Sequence, residues 1–420
     1  MVLSAALLRA GWQVSLYSDR TAEDHLADRG RPTACLFGDQ VEYEAELGLP
    51  TWSQASPFTR IHLDLYTPAG PVAFSVDAPL DKPALAVDQR LKFSSGLAEL
   101  AARGAEVVIG AVSLEDLDDL AASHDLVVVT VGHKAFQGLF PRDDARSTHT
   151  EPQRKLFMVN VAGYDLDAHP VHRQGVFSFL PGTVEVFWIP FWDKDVGESR
   201  SIVVEITPGG KADRFDDVTT ADEGLAVFKE VVAELLPGEL PFVAPTRATS
   251  PVTFIKGAIV PVVRHPVAEL PSGRHVLGLG DAVVLNDPLS GQGANNATRM
   301  AKFFAERLTA HDGAITAPWL REQFDAFWEK GRYATEFTNG LLAPLRDHQK
   351  NVLLAASHDE EIGARLWSGF NDPSSLFPWF FDETEAHRYL AERQVGRGTL
   401  LRYKLGVAAR VIGGRLSRRS

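Results

Sequence analysis

Apolar residues recur at helical spacing from the start of the chain (Val2, Leu3, Ala6, Leu7, Ala10) and run to Gly11. A strand-like stretch, 13–17, follows and ends on Ser18-Asp19-Arg20. Helix, terminating glycine, strand and acidic residue make the second half of a βαβ unit. A polar segment to about Pro32 leads to a predicted helix over 39–47, stopped by "GLP". Residues 58–86 alternate around an "AGP" turn and predict a hairpin or meander. A helix is expected from about Gln89 to Arg103, with Gly104 as its stop, then a buried strand over 106–109. "DLVVVTVG" (125–132) is an almost continuous β-branched run, the pattern of a parallel strand covered on both faces.

From about Thr148 to Arg264 the pattern changes. "KLFMVNVAGYDL", "GVFSFLPGTVEVFWIPFW" and "SRSIVVEITPG" predict aromatic-rich strands joined by short turns, with a helix near 221–236. "RHVLGLGDAV" (274–283) resumes the α/β pattern, and beyond residue 315 the periodicity is helical. The expected fold class is therefore α/β, α+β overall. A discontinuous Rossmann-like nucleotide-binding domain (1–50, 85–147 and 265–315) carries an inserted β-rich domain (51–84 and 148–264) and a C-terminal helical region (316–420).

Composition narrows the picture. The 420 residues are 45% hydrophobic and 23% charged, as in ordinary globular proteins. A net charge of −13 opposes sequence-independent binding to nucleic acid, which needs a cationic face. Cys35 is the single cysteine, so no internal disulfide forms, and a reducing, cytoplasmic setting is expected. No apolar run reaches the roughly 18–20 residues that span a bilayer. The arginines of "ARVIGGRLSRRS" at the end of the chain are read as a frayed, solvated tail.

The segment richest in chemistry is "HVLGLGDAVVLNDPLSGQGANNATRMAKFFAERL". A buried strand ends near Asp281, a loop with Pro288 follows, and an amphipathic helix begins at "SGQGANNA". Gly291 and Gly293 let backbone approach a ligand closely, and the helix N-terminus offers unpaired N–H groups. Asp281 can accept hydrogen bonds from a sugar-like hydroxyl. A tight strand-to-helix connection is the plainer alternative; Asp281, Pro288 and Asn295 at these spacings argue against it. No H-E-x-x-H, G-x-S-x-G, Walker loop or clustered Cys/His metal spacing is found, so no metal is expected.

"GLGDAVVLNDPLSGQGANNA" resembles the second FAD fingerprint of flavoprotein monooxygenases with the glutathione-reductase-type fold. It is most similar to the styrene/indole monooxygenase oxygenase components. "LLRAGWQVSLYSDR", "AVDQRL", "DLVVVTVGHKAF" and "GAIVPVVRHPVAELPSGRHVLGLGD" resemble further pieces of that family in order. The resemblance implies that Gly280 and Asp281 lie at the ribityl chain of FAD. Pro288, Gly291, Gln292, Gly293, Ala294 and Asn295 would follow the pyrophosphate and flavin-ring edge. It implies further contacts from Arg90 near the ribityl phosphate, Gly132 beneath the adenosine half, Asp19 and Arg20 at the adenosine ribose, and Arg31 at the flavin. Phe179, Phe187 and Trp188 are candidates for an apolar substrate wall, although each is also what a sheet core contains. The family's first strand and G-x-G-x-x-G loop are missing before residue 1, leaving the parallel sheet without its central member. The reading favours a start internal to a longer chain over a truncation that has abandoned FAD.

The function so implied is a two-component monooxygenase. A separate NAD(P)H-flavin reductase supplies FADH₂, which reacts with O₂, and a flavin hydroperoxide epoxidises or hydroxylates a small apolar aromatic or alkene. No protein side chain is then a catalytic nucleophile, and a homodimer is expected. Two other readings stay open: a single-component NAD(P)H-dependent FAD hydroxylase, and a truncated, flavin-free binding protein.

Overall fold

The computed structural model describes residues 1–33, 35–68, 70–131, 136 and 138–417. It opens with α1 (Val2–Arg9), β1 (Ser15–Ser18), α2 (Ala22–Ala27) and α3 (Gly38–Glu46), then a long hairpin, β2 (Phe58–Tyr66) and β3 (Val72–Ala84). The α/β pattern returns with α4 (Gln89–Ala102), β4 (Glu106–Ile109), α5 (Leu114–Ser123) and β5 (Val128–Val129). Longer strands follow: β6 (Lys155–Ala162), β7 (Gly175–Leu180), β8 (Val184–Asp193) and β9 (Gly197–Ile206). After α6 (Ala221–Leu235) and α7 (Leu240–Val243) come β10 (Arg247–Ala248), β11 (Phe254–Ala258), β12 (Val262–Val263) and β13 (Val267–Glu269). β14 (His275–Gly278) and β15 (Val284–Leu285) lead into α8 (Gln292–Thr309). The remaining helices are α9 (Ala317–Leu342), α10 (Asp347–Ala356), α11 (Glu360–Asn371), α12 (Glu383–Glu392) and α13 (Arg397–Ser417).

The expected α/β class, with a β-rich insertion and C-terminal helices, is what the chain adopts. Its largest sheet has the order β10-β6-β9-β8-β7-β2-β3, with β11 also on β6. Every pairing in it is antiparallel except β2 with β7. Strand alternation splits its side chains into two cores. One face sends Phe157, Val186, Trp188 and Val204 against α6 and Phe242. The other sends Leu63, Phe177, Phe187 and Val203 against the helices after residue 330. Burial on both faces explains why these strands are apolar almost throughout.

The α/β part is built from short parallel pairs, β1 with β4 and β5 with β14, which lie in two separate sheets. α1 and α8 pack on each other beside them. Of the long run over 125–132, the described residues form only a two-residue strand. β5 pairs with β14 and with no further strand among the described residues, so little ladder holds the rest extended. The stretch expected as a frayed tail is helical over its described residues, to Ser417, and earlier in the same helix Leu400, Tyr403 and Val407 pack on the core under β3 and α10. Among the described residues, no helix is long and apolar enough to cross a membrane.

The hairpin carries one titratable device. His62 sits between Asp64 (3.2 Å) and Asp77 (3.3 Å). Burial alone would lower its pKa, but the two carboxylates outweigh burial and lift it to about 9. A histidine raised on folding stabilises fully below its unfolded pKa, and that contribution is lost as pH rises through the folded value. His62→Gln should therefore lower the urea midpoint at pH 6 and have little effect at pH 9.5, where wild type has lost the same contribution.

Candidate active site

β14 delivers the chain to Gly280, whose left-handed conformation (φ +62°) opens a short 3₁₀ turn bearing the exposed Asp281. The chain returns through β15 to Asp287, which is buried and caps the next 3₁₀ turn, Pro288–Ser290, by accepting the Leu289 N–H at 3.0 Å. Gly291 (φ +64°) then turns the backbone into α8. No side chain caps this helix, so its first-turn N–H groups stay available. Gly293 and Ala294 lie at the surface of that turn. A Cβ built on Gly293 would stand 3.9 Å from Asp281 Oδ1, so the glycine keeps open the gap between helix end and carboxylate. N–H donors on one side and a carboxylate on the other fit the flavin edge and ribityl hydroxyls of FAD.

The side chains of two assigned contacts turn the other way. Asn295 accepts the Phe37 N–H (2.8 Å) and donates to the carbonyls of Cys35 (3.0 Å) and Gly291 (2.7 Å). Gln292 donates to the Phe370 carbonyl (2.9 Å) and accepts from Arg299 (3.0 Å), which also donates to the Asn371 carbonyl. Both are fully buried. Their place along the α8 N-terminus stands, but their side-chain amides point into the protein. Their amide groups are consumed in fastening α8 to the 35–37 segment and to α11, and the groove is left to backbone N–H groups.

The assigned arginines converge on one turn. Arg20 and Arg31 both pair with Asp28, and Asp19 stands 3.9 Å from Arg20. Arg90 reaches the Asp28 carbonyl at 3.5 Å. Its guanidinium is buried against Asp88 (2.6 Å) and Asp195 (2.8 Å), with Asp193 at 3.7 Å. Arg90 thus joins the start of α4 to the β8–β9 turn. Gly132 lies outside the described residues. An arginine not singled out from sequence, Arg264, donates to the carbonyls of Asp281 (3.3 Å) and Ala282 (3.4 Å) and brings positive charge beside the 280–282 turn.

Beneath the 288–291 turn lies an apolar pocket of about 400 Å³. Phe179 and Phe187 line it, together with Phe177, Phe337, Trp367 and Phe370, and Leu289 closes one side. Trp188 does not line it. Alternation along β8 turns the indole to the opposite face, where it is fully buried and donates to Ser178 Oγ at 3.3 Å. The same alternation could have picked out Phe177, two residues before Phe179. Phe337, Trp367 and Phe370 come from helices whose approach no local pattern announces.

The pocket wall is not wholly apolar. Arg154 donates to both oxygens of Glu185 (2.9 and 3.0 Å), and both residues face the cavity. Glu205 stands directly opposite Glu185 on the neighbouring strand, buried, with neither carboxyl oxygen hydrogen-bonded. Burial raises both carboxyls, Glu205 most strongly, with the charges of Asp287 and Glu185 adding to it. Burial likewise lifts Asp287 to about 6. These positions carry no sequence signature, because each charge becomes meaningful only beside the others.

A family model for the substrate-binding domain of styrene monooxygenase A matches residues 132–241. The chain is similar to styrene monooxygenase StyA from a Pseudomonas species, 29% identical, and to StyA from Pseudomonas fluorescens, 30% identical. Each match runs over 377 residues, 87% of this chain and 89% of the relative. In fold it resembles a triple mutant of the flavin-dependent brominase Bmp2, with a TM-score of 0.60 at 12% identity over 94% of this chain and 96% of that one.

Two substitutions separate scaffold from site. Asn295→Ala strands the Phe37 N–H and the Cys35 carbonyl and should cost about 2–4 kcal/mol in urea unfolding. Trp188→Ala should cost about 3–5 kcal/mol by core truncation while leaving the relative affinities for pocket ligands unchanged.

Proposed function

The chain belongs to the styrene monooxygenase family, and from that premise we propose that it oxygenates a small apolar aromatic or alkene with O₂ and reduced FAD supplied by a separate NAD(P)H-flavin reductase. The observation that carries this reading is the shared 288–291 turn. Its backbone leads into the uncapped N-terminus of α8, and its Leu289 side chain closes the aromatic pocket. A cofactor edge held at the first and a substrate held in the second would be neighbours.

In this reading Asp281 and the N–H groups after Gly291 hold the cofactor, Arg20 and Arg90 stand on its adenosine and phosphate side, and Arg31 is assigned to the flavin. When bound, the flavin supplies the activated oxygen, which is why no protein nucleophile or metal is needed. The chain's own residues bind, orient and exclude water. Phe177, Phe179, Phe187 and Phe370 offer ring faces and edges that fix the plane of an aromatic substrate. The apolar wall favours substrates without charge, and Glu185 opposes a carboxylate-bearing ring. The substrate-binding domain would comprise 51–84 and 148–264, inserted into a flavin domain of 1–50, 85–147 and 265–315, with 316–420 roofing the pocket.

The test uses purified chain loaded with oxidised FAD. NADH or NADPH alone should leave the flavin oxidised, with bleaching only after a flavin reductase is added. Rapid bleaching by the nucleotide alone identifies a single-component hydroxylase instead. Failure to bind either FAD or FADH₂, even with an upstream extension restored, identifies a flavin-free protein. Within the pocket, Phe179→Ala should raise the KM for a single-ring alkene by about tenfold or more, with flavin affinity unchanged.

A further inference from the structure

The charges between pocket and loop are arranged as a unit that the proposed reaction does not use. Asp287 ends the chain's return from β15 and is almost fully buried, and its carboxylate accepts the N–H of Leu289. That bond sets the one turn that both closes the pocket and starts α8. From the large sheet, Arg154, Glu185 and Glu205 face Asp287: one cation and two carboxyls. From α9 come hydroxyls, Thr335 on Asn286 and Thr338 on Ser290. Arg154 is already engaged in a fork with Glu185, so its charge is divided between two acids. Glu205 has no hydrogen-bond partner in the same cluster.

We propose that Asp287 is a positioning residue whose ionised carboxylate holds the 288–291 turn in register with both the pocket and the α8 N-terminus, under the control of the Arg154–Glu185 pair in the pocket wall. The ionised form is the stronger acceptor for the Leu289 N–H. Burial and Glu185 disfavour that form, and Arg154 favours it. Protonation near pH 6 weakens the cap and loosens the turn. Because Arg154 and Glu185 line the cavity, whatever occupies the pocket acts on the same balance. The consequence for flavin rests on the proposed flavoenzyme reading; the consequence for the turn does not.

Hydrogen exchange of the Leu289 amide in the full chain, corrected for intrinsic rates between pH 5 and 8, tests this without any ligand. Wild type should be fully protected at pH 8 and lose about tenfold or more of that protection by pH 5, with a midpoint near 6. Asp287→Ala should lose the protection throughout. Asp287→Asn keeps an acceptor without a charge, and should retain protection that no longer varies with pH. Arg154→Met removes the favouring charge and should move the midpoint up; Glu185→Gln removes an opposing one and should move it down. Should Arg154→Met fold poorly, Glu185→Gln and Asp287→Asn still decide. Wild-type protection that is flat across this range, or a midpoint that Glu185→Gln leaves in place or moves up, overturns the proposal. FAD affinity measured by fluorescence quenching over the same range should follow the exchange curve. Absence of FAD binding at every pH, even with an upstream extension restored, overturns the flavoenzyme reading, while the exchange data still decide the role of Asp287.

Discussion

A helix N-terminus that is to hold a ligand must keep its amides unpaired, so it cannot be fixed by the side-chain caps that steady most helices. The start of α8 meets this constraint by being fastened from beneath. Asn295 ties it to the 35–37 segment, Gln292 and Arg299 tie it to α11, and Asp287 sets the turn that precedes it. Three otherwise costly buried polar groups are thereby satisfied, and the exposed side of the turn is left to glycine, alanine and backbone. The rest of the architecture serves this arrangement: β14 brings the chain in, α1 packs along α8, and α9 to α11 meet the turn from the far side.

The large sheet solves a second problem by having two cores. Its face toward α6 is packed solid around Trp188, Phe228 and Phe242, which gives the strands a rigid backing. Its other face meets helices contributed by the last quarter of the chain, and there the packing leaves a cavity of about 400 Å³. That volume lies within the range of small-molecule pockets, and its apolar lining suits a substrate recognised by shape. The buried Arg154–Glu185 pair sits where the cavity meets the 288–291 turn. A buried ion pair contributes little net stability, since desolvation offsets most of its attraction. Its position between the pocket and the turn that starts α8 is the more informative property.

Much of the organisation was legible in the chain because it rests on local physics. Helical periodicity located α3, α4, α6 and α8 to within a residue or two, and the strand over 106–109 was placed to the residue, although its ends are exposed and it is not the buried strand expected. Gly291 was readable as a turn position, since its left-handed backbone favours glycine, and Gly293 as a position whose missing side chain leaves space beside Asp281. Phe179 and Phe187 were readable as pocket residues, but Trp188 was not excluded. Alternation says that neighbours face opposite ways without saying which way is the cavity. Gln292 and Asn295 were recognisable as special, but the partners of their side-chain amides were not readable. A buried amide beside a glycine looks the same in sequence whether it serves a cofactor or the scaffold.

The sequence by itself determined the elements, their α/β and β-rich grouping, the glycine-bearing turn into α8 and the family resemblance. Each of these is written in residues that are neighbours along the chain. Tertiary structure alone decided which sheet face opens to a pocket and which charges meet in its wall. It also decided that the Asn295 side chain would reach Phe37, 258 residues away. The reason is physical: hydrogen-bond partners, shared burial and mutual charge are properties of pairs, and these pairs exist only after distant segments have packed.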